Sequence, residues 1–484
     1  MIFTTILIAP LLAATLSAMM QKGAKFLEAF TLLSSTIIFI CSLFIARTVL
    51  ADQTCGFPPY FEVNSLGAIL LLVTSFISLI ASFYSIGYLR AEVKKEVIGF
   101  SRVRQYYVLL NLFIMTMILA ITVNSPIATW IAIEATTLST AFLISFYNKS
   151  SSMEAAWKYL IINSVGLLLA FFGTLLFMAG STALVNNHGL ISWNDILANA
   201  KSLNPVIIKI SFIFILIGYG TKMGLFPMHT WLPDAHSKAP VPISSLLSGV
   251  LLNVAFFAIL RFKLIADTAV GAAFSQNLLI YFGLFSIILS ALLIYLQINY
   301  KRLLAYSTIE HMGIIALGIG FGGIGLFASI LHLIYHSLAK PLLFLTSGNI
   351  FLKFSSTKIA KVSGAFEVIP VTSVLFIIGI LAITGVPPFG IFMTELSILT
   401  AGIQSHPVIT SITLLALVLI FIGFLKHTIS MIFGEKPKEI EAGEVSKLNL
   451  IPLIILASTL IFLSIYLPNP LKLLIERAAQ IYTL

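Results

Sequence analysis

Ionisable side chains interrupt several apolar segments that are long enough to cross a membrane. A charged group at bilayer depth costs roughly 2.5 kcal/mol or more, so such residues usually have a function. The residues of this kind that could carry a proton are Glu134, Lys158, Lys222, His332, His336, Lys340 and Glu395. Carboxylates, amines and imidazoles inside successive helices are the groups that a proton relay needs. The pattern therefore predicts a proton path inside a membrane.

A simpler interpretation exists for charged residues near the ends of a segment. A long basic side chain there reaches the membrane surface along apolar neighbours. This interpretation is at least as good as the relay for Lys158 and for Lys426. It is weaker for the residues that lie deep in a segment or beside a helix break, which are Glu134, Lys222, Lys340 and Glu395.

Two of the deep residues lie close to prolines. Pro227 follows Lys222, and the pair Pro387 and Pro388 precedes Glu395. Proline removes a backbone donor and clashes with the preceding turn, so a helix opens there. An opened helix is tolerated at membrane depth only where the freed groups face protein or water. We expect broken seventh and twelfth helices beside an ion path, with purely structural kinks as the alternative.

The composition identifies the class of protein. The chain has 484 residues, of which 59% are hydrophobic and 10% charged, whereas about a quarter of a soluble domain is charged. Apolar stretches of about 20 residues recur along the whole length, which leaves no room for a separate soluble domain. The opening stretch MIFTTILIAPLLAATLSAMM lacks a basic region before its apolar core, so we expect a first span and not a cleaved signal peptide.

The fold that we predict is an all-α polytopic membrane protein with about 14 transmembrane helices. The predicted spans are 2–20, 26–46, 65–88, 105–123, 125–147, 156–180, 204–225, 242–262, 276–297, 303–320, 325–349, 370–399, 408–432 and 449–467. Most of the 28 Lys and Arg fall in loops on one side if both termini lie outside. The net charge of +10 is then a topology signal, and we expect no nucleic-acid binding.

The two groups of broken and charged helices suggest an internal repeat. We predict N-terminal helices 1–3 in residues 1–104, a first five-helix repeat in 105–265, and an inverted second repeat in 276–433. Residues 434–484 then hold helix 14 and a short tail. In this scheme Lys158 corresponds to Lys340, and Lys222 to Glu395.

The sequence offers few ligands for a redox centre. Cys41 and Cys55 are too few for an iron–sulfur cluster or a cysteine zinc site. His332 and His336 lie one turn apart on one helix and cannot hold a haem from both sides. Dinucleotide fingerprints, P-loops and catalytic triads are also absent from the sequence. We therefore expect no catalytic residue, cofactor site or metal site in this chain.

Several motifs resemble the antiporter-like subunits of respiratory complex I, of Mrp cation/proton antiporters and of membrane-bound hydrogenases. They read WIAIEATTLSTAFL, AAWKYLIINSVG, GYGTKMGLFPMHTWLPDAHSKAPVPISSLLSGVLLN, KRLLAYSTIEHMGI and HSLAKPLLFLTSGN. Within this family, the motifs most resemble those of the large membrane subunit of formate-hydrogenlyase-type hydrogenases. The resemblance implies fourteen helices, a polar axis along the membrane midplane, and Glu134 with Lys222 as a coupled pair. It also implies Lys340 as the central lysine and Glu395 as the terminal residue.

The sequence departs from that family in two places. Many relatives carry a lysine or histidine on helix eight, where this chain offers Asn253, so water or another residue would have to complete the path. The chain also stops soon after span fourteen, and we expect it to lack the long lateral helix of the largest complex I subunit.

The function predicted from these observations and from the resemblance is proton translocation within a complex I-related oxidoreductase of the membrane-bound hydrogenase type. NiFe and iron–sulfur centres would lie on partner subunits, next to other membrane subunits in the lipid bilayer. The alternatives are an Mrp-type cation/proton antiporter subunit without a redox partner, and a structural membrane anchor. The isolated carboxylates favour protons over a Na⁺ cage. We expect a multi-pass protein of a prokaryotic cytoplasmic membrane with both termini outside.

Overall fold

The computed structural model describes residues 2–53, 55–179 and 191–483. Most of them are helical, in agreement with the predicted all-α class. In chain order the helices are α1 Ile2–Met19, α2 Ala24–Leu50, α3 Ser65–Lys94, α4 Phe100–Thr122, α5 Pro126–Ile144, α6 Ser150–Ala179, α7 Trp193–Ala198, α8 Pro205–Met223, α9 Trp231–Lys238, α10 Val241–Leu246, α11 Leu252–Val270, α12 Ala272–Tyr295, α13 Tyr300–Phe321, α14 Ile324–Phe354, α15 Ala365–Val368, α16 Pro370–Ile383, α17 Gly390–Ser405, α18 Pro407–Ile432, α19 Lys447–Ile465 and α20 Asn469–Ile481. A short antiparallel hairpin, β1 Gly56–Phe57 with β2 Phe61–Glu62, follows α2.

The helices account for all fourteen predicted spans. In the part of the chain that the structure describes, 13 helices are long and apolar enough to cross a membrane. One of them, Val241–Val270, combines α10 and α11 through a π-helical turn at Leu247–Leu251. The remaining predicted span, 370–399, is divided into α16 and α17. The multi-pass membrane fold is therefore confirmed.

Both predicted helix breaks occur. α8 ends at Met223, where Gly224 adopts a left-handed conformation with φ of 83°, and Pro227 lies in the irregular stretch before α9. α16 ends at Ile383, and Pro387 and Pro388 lie in the stretch before α17. Pro341, in contrast, lies inside α14 without ending it.

The division into an N-terminal part, two inverted repeats and a C-terminal part remains a prediction. So does the correspondence of Lys158 with Lys340 and of Lys222 with Glu395. The structure adds one element to the predicted tail, because residues 469–481 form the amphipathic helix α20. The side chain of Arg477 on this helix pairs with Asp52, which follows α2.

The most enclosed helices carry most of the buried charges. The most hydrophobic stretches of Val241–Val270 and α13 are completely buried inside the protein, and that of α14 is 89% buried. Those of α18 and α19 are only 33% buried. Charged groups on the enclosed helices face protein because no lipid surface is within reach. The fold thus places α11, α13 and α14 at its centre, with α8 and α17 beside them.

A small residue sets the distance between α6 and α8. A Cβ atom on Gly218 would lie 2.4 Å from the backbone nitrogen of Ala170, so only glycine fits at this contact. Small residues allow such close approach between membrane helices. The approach brings the C-terminal turn of α8, which carries Lys222, against the side chain of Tyr159 on α6.

Candidate functional site

Lys222 lies at the C-terminal end of α8 and is completely buried. Its ammonium group donates hydrogen bonds to Thr137 Oγ1 of α5 at 2.9 Å and to the Tyr159 hydroxyl of α6 at 2.6 Å. The ammonium also lies 4.8 Å from the centre of the Tyr159 ring. A buried charge needs partners, and here they are neutral hydroxyl groups. Such a lysine can lose its proton without leaving an unpaired carboxylate beside it.

Glu134 lies on the same helix as Thr137, one turn earlier, so both side chains share a face of α5. Its Oε1 accepts a hydrogen bond from Ser164 Oγ at 3.3 Å, and its Oε2 is buried without a hydrogen-bond partner. The carboxylate acts on the charge of Lys222 through space. The structure therefore brings the predicted pair together through Thr137, without a direct ion pair.

Tyr159 and the threonines of α5 extend this cluster. The Tyr159 hydroxyl lies 2.5 Å from Thr140 Oγ1, and its ring packs edge-on against Trp231 of α9 at 5.0 Å. Trp231 in turn donates to the backbone carbonyl of Thr221, next to Lys222, at 2.9 Å. This contact ties the end of α8 to the segment that follows the break. The break thus helps to hold Lys222 in place.

Lys340 is the buried amine of the second cluster. It lies on α14 beside Pro341 and donates to the backbone carbonyl of Leu304 on α13 at 2.9 Å. Its charge interacts with that of Glu310, a buried carboxylate on α13. Glu310 also interacts electrostatically with Glu395 of α17. The two carboxylates and the lysine therefore form one electrostatic group.

Three buried histidines lie beside this group. His311 Nδ1 of α13 lies 2.9 Å from His332 Nε2 of α14, and His332 Nδ1 lies 2.8 Å from Thr394 Oγ1 of α17. The ring of His336 is centred 5.3 Å from that of His311, and neither of its nitrogens has a hydrogen-bond partner. The histidines connect three helices and lead from Lys340 toward Glu395.

Glu395 lies at the second helix break. Its carboxylate contacts Gly385, which has a φ of 64°. A Cβ atom added to Gly385 would lie 2.3 Å from Glu395 Oε2. Positive φ is strained for residues with a Cβ atom. Glycine is therefore required both by the backbone of the break and by the position of the acid. Glu395 is also partly exposed, so it forms the outer end of the buried series.

His236 lies between the two clusters. It is completely buried on α9, stacks on Phe344 of α14 with ring centres 5.1 Å apart, and has no hydrogen-bond partner on either ring nitrogen. The charges of Lys340 and Lys301 both act on it. Lys301 is itself buried and donates to the carbonyl of Ala239 at 3.0 Å.

The predicted eighth span, which corresponds to the π-helical turn and α11, carries neutral polar groups in the interior. Asn253 Nδ2 donates to Ser337 Oγ of α14 at 2.8 Å, while its Oδ1 has no hydrogen-bond partner. On the π-helical turn, Ser248 Oγ lies 2.7 Å from Thr308 Oγ1 of α13. Such turns are frequent at functional sites. Hydroxyl and amide groups thus line this part of the interior.

Lys158 is the one predicted site residue that faces away from the buried groups. Its side chain is 49% exposed and pairs with Glu154 at 2.6 Å and with Asp234 at 3.5 Å. Asp234 also pairs with Arg302 of α13. This surface network lies near the N-terminal end of α6. Lys426 is exposed too and lies over the ring of Tyr295.

Four residues of the site were not among the predicted ones: Tyr159, His236, Glu310 and His311. Glu310 and His311 had a detectable signal, because two adjacent ionisable residues stand in the apolar segment 303–320. His236 stands in a polar stretch where a histidine is unremarkable. A tyrosine in an apolar helix gives no signal, since most such residues simply pack.

Comparison with known proteins identifies the family. Residues 123–423, more than half of the chain, match the family described as NADH:quinone oxidoreductase/Mrp antiporter, transmembrane. The chain belongs to this family. It is 39% identical over 383 residues to the Hydrogenase-4 component F homolog of Methylacidiphilum infernorum, covering 78% of this chain and 80% of that protein. The predicted resemblance to antiporter-like subunits is therefore confirmed.

Solved structures of antiporter-like subunits share the fold. A chain of the membrane-bound sulfane sulfur reductase, an archaeal respiratory membrane complex, superposes with a TM-score of 0.86 at 21% identity, covering 100% of this chain and 97% of that one. A chain of the Mrp complex from Dietzia sp. DQ12-45-1b gives 0.85 at 17% identity, covering 99% and 96%. The antiporter-like fold thus extends over the whole described chain.

Proposed function

We propose that this antiporter-like subunit translocates protons within a membrane-bound, hydrogenase-type relative of complex I. The observation that carries the proposal is Lys222, a completely buried amine with only hydroxyl acceptors, one of which, Thr137, lies one helical turn from Glu134 on α5. A lysine with a structural role alone would be expected to have a carboxylate partner, as Lys263 has in Asp267.

Glu134 controls the charge on Lys222 in this proposal. An ionised Glu134 stabilises the protonated amine, and withdrawal of that charge favours release of the proton. Two unit charges roughly 7 Å apart interact by about 2.4 kcal/mol at an effective dielectric constant near 20. Moving one charge through roughly 100 mV costs about 2.3 kcal/mol. Changing this one interaction is therefore of the size needed to move a proton against a membrane potential.

The proton continues toward the second cluster. In this proposal the proton path from Lys222 to Lys340 includes His236 and the polar groups of α11 and the π-helical turn. Water molecules would complete the connection. From Lys340 the proton passes to Glu310 and then to the buried histidines, among them His332 and His336. It reaches Glu395 last. Lys158 and its acidic neighbours collect protons at the surface. Glu395, partly exposed beside the break, passes the charge change to a neighbouring subunit.

The energy source lies on other chains. We infer that NiFe and iron–sulfur centres on partner subunits supply redox energy, and that a neighbouring membrane subunit transmits it to Glu134. The 39% identity to the Hydrogenase-4 component F homolog supports a hydrogenase-type assembly. The assembly would lie in a prokaryotic cytoplasmic membrane, with both termini of this chain outside.

The test is purification of the native complex through a tag on this chain. We expect copurification of subunits that contain nickel and iron, detected by mass spectrometry and metal analysis, and acidification of inverted membrane vesicles when the complex turns over. Copurification with small membrane proteins only, free of nickel and iron and with Na⁺/H⁺ exchange in vesicles, would contradict the proposal in favour of an Mrp-type antiporter.

A further inference from the structure

Three ligand-bearing side chains meet at the end of the second cluster. One nitrogen each of His311 and His332 and one carboxylate oxygen of Glu395 lie within 4.8 Å of one another. The residues come from α13, α14 and α17, and no sequence motif joins them. We infer that His311, His332 and Glu395 form a binding site for a divalent transition metal ion such as Zn²⁺, and that the bound ion blocks proton transfer.

The spacing of the two imidazoles is close to that of zinc ligands. His311 Nδ1 and His332 Nε2 are 2.9 Å apart. Two nitrogens bound to tetrahedral Zn²⁺ at about 2.0–2.1 Å lie roughly 3.3 Å from each other. The two rings therefore need to separate by a few tenths of an ångström. The helices that carry them can stay in place.

The outer nitrogens of both rings have suitable neighbours. A histidine ligand usually donates its second N–H to a hydroxyl, carbonyl or carboxylate, which fixes the ring. His332 Nδ1 lies 2.8 Å from Thr394 Oγ1, whereas His311 Nε2 has no hydrogen-bond partner and lies 3.8 Å from Glu310 Oε2, so this carboxylate would have to move closer to accept its N–H. With each ring proton on its outer nitrogen, both inner lone pairs point to the ion. Binding therefore needs a change of tautomer in one ring, the small separation of the two rings, and an approach of the Glu395 carboxylate, since the three ligand atoms lie within 4.8 Å of one another.

The ligand set selects the type of ion. Two imidazole nitrogens and one carboxylate oxygen suit Zn²⁺, Co²⁺ or Cu²⁺, whereas Mg²⁺ and Ca²⁺ prefer oxygen ligands. Three protein ligands leave one position for water. The prediction that the chain holds no metal ligand rested on cysteine count and histidine spacing, which do not reveal a site formed by three helices.

The inhibitory part of the inference rests on the proposed function. The His311–His332 hydrogen bond directly links ionisable groups of α13 and α14 on the way to Glu395. A bound metal ion would occupy the lone pair of each of these two nitrogens, once the proton between them has moved to the outer nitrogen of its ring. A proton then has no acceptor there, so transfer between Lys340 and Glu395 stops while the fold is retained.

The binding test uses the full-length chain purified with a tag that lacks histidine. Titration with Co²⁺ should produce the visible absorption bands of a tetrahedral complex at one ion per chain, and Zn²⁺ should abolish them. His332→Gln and Glu395→Gln should each remove the bands. Thr394→Val, which deletes only the hydroxyl beside His332, should weaken binding by about 10- to 100-fold.

His406→Gln is the matched control, because His406 lies in a loop beside Phe321, away from the cluster. It should bind Co²⁺ like the unaltered chain. Failure of the unaltered chain to bind, full binding by His332→Gln, or lost binding in His406→Gln would each overturn the metal site. These results do not depend on whether the protein moves protons.

The inhibition test adds Zn²⁺ to inverted vesicles that contain the assembled complex. Proton translocation should fall with the same zinc dependence as Co²⁺ displacement. Undiminished translocation at saturating Zn²⁺ would refute the block and leave the binding site standing. Absence of translocation without any Zn²⁺ would refute the proposed function itself, and the inhibitory part with it, while the Co²⁺ titration still decides the site.

Discussion

The ammonium of Lys222 donates a 2.6 Å hydrogen bond to the hydroxyl of Tyr159, which the close contact between α6 and α8 makes possible. The bond gives the amine a neutral partner in the interior of a membrane protein. A carboxylate in that place would hold the proton permanently by charge. The other acceptor of the amine, Thr137, lies one turn along α5 from Glu134, the acid proposed to control its charge. The predictions below separate this regulated arrangement from a static one.

Glu134→Gln should uncouple the complex without unfolding the chain. The substitution keeps the shape of the side chain and the hydrogen bond from Ser164, but removes the charge that acts on Lys222. Proton translocation in inverted vesicles should fall at least about tenfold, since the lost interaction is worth about 2.4 kcal/mol. The amount of assembled complex should stay within about twofold of normal.

Glu476→Gln is the matched control for this variant, because Glu476 is 43% exposed and pairs only with Lys472 at the surface. It should translocate protons at the unaltered rate. Unchanged translocation in Glu134→Gln would remove Glu134 from the mechanism.

Lys340→Met should also separate a relay from a structural role. Methionine keeps length and apolar bulk and removes the cost of burying a charge, so a structural lysine should tolerate it or even gain stability. We expect normal assembly and loss of most translocation. Lys353→Met, on the same helix with its amine near the surface on the Gly443 carbonyl, should have neither effect. Translocation equal to that of the unaltered complex, or failure to assemble, would contradict the relay role of Lys340.

The link between the second break and Glu395 can be tested with two glycines. Gly385→Ala strains a positive φ and places a methyl group against the Glu395 carboxylate. Gly271→Ala strains a φ of 84° but meets no atom within 4 Å. Both should lower stability by about 1–3 kcal/mol, measured as a lower thermal unfolding temperature in detergent. Only Gly385→Ala should reduce translocation; equal effects on translocation would mean that the break does not position the acid.

The sequence predicted the fold far better than the site. Apolar length alone locates the spans, and Pro387 and Pro388 locate the division between α16 and α17, because both depend on local properties of the chain. The site depends on how each helix is rotated. Lys158 and Tyr159 are neighbours in sequence, yet the lysine faces outward and the tyrosine contacts Lys222. That rotation is set by the Gly218 contact and other packing between helices, which composition does not encode.

Packing between helices also explains why the contacts of the second cluster were not predicted. His332 and His336 were predicted as relay residues because they are ionisable groups inside an apolar, membrane-length segment. Their partner His311 comes from α13, and Thr394 from α17. Contacts across three helices become visible only when the helices are packed. Whether the predicted residues carry protons is a separate question that the variants answer.

The topology of the chain makes a further prediction. A reporter that is active only in the cytoplasm should be inactive when fused at the C terminus and active when inserted at Lys436, since most basic residues fall in loops on the inner side. Both fusions should be produced in similar amounts, measured by immunoblot. The reverse pattern would contradict the placement of both termini outside.

The most direct test of proton translocation through this chain is the Lys222→Met variant in inverted vesicles, with redox turnover and internal acidification recorded together. Methionine fills the same space but cannot donate to Tyr159 or hold a proton. The account predicts normal assembly, continued redox turnover and loss of most acidification, while Lys209→Met, an exposed lysine of the same helix, acidifies normally. Full acidification by Lys222→Met at normal redox turnover would contradict it.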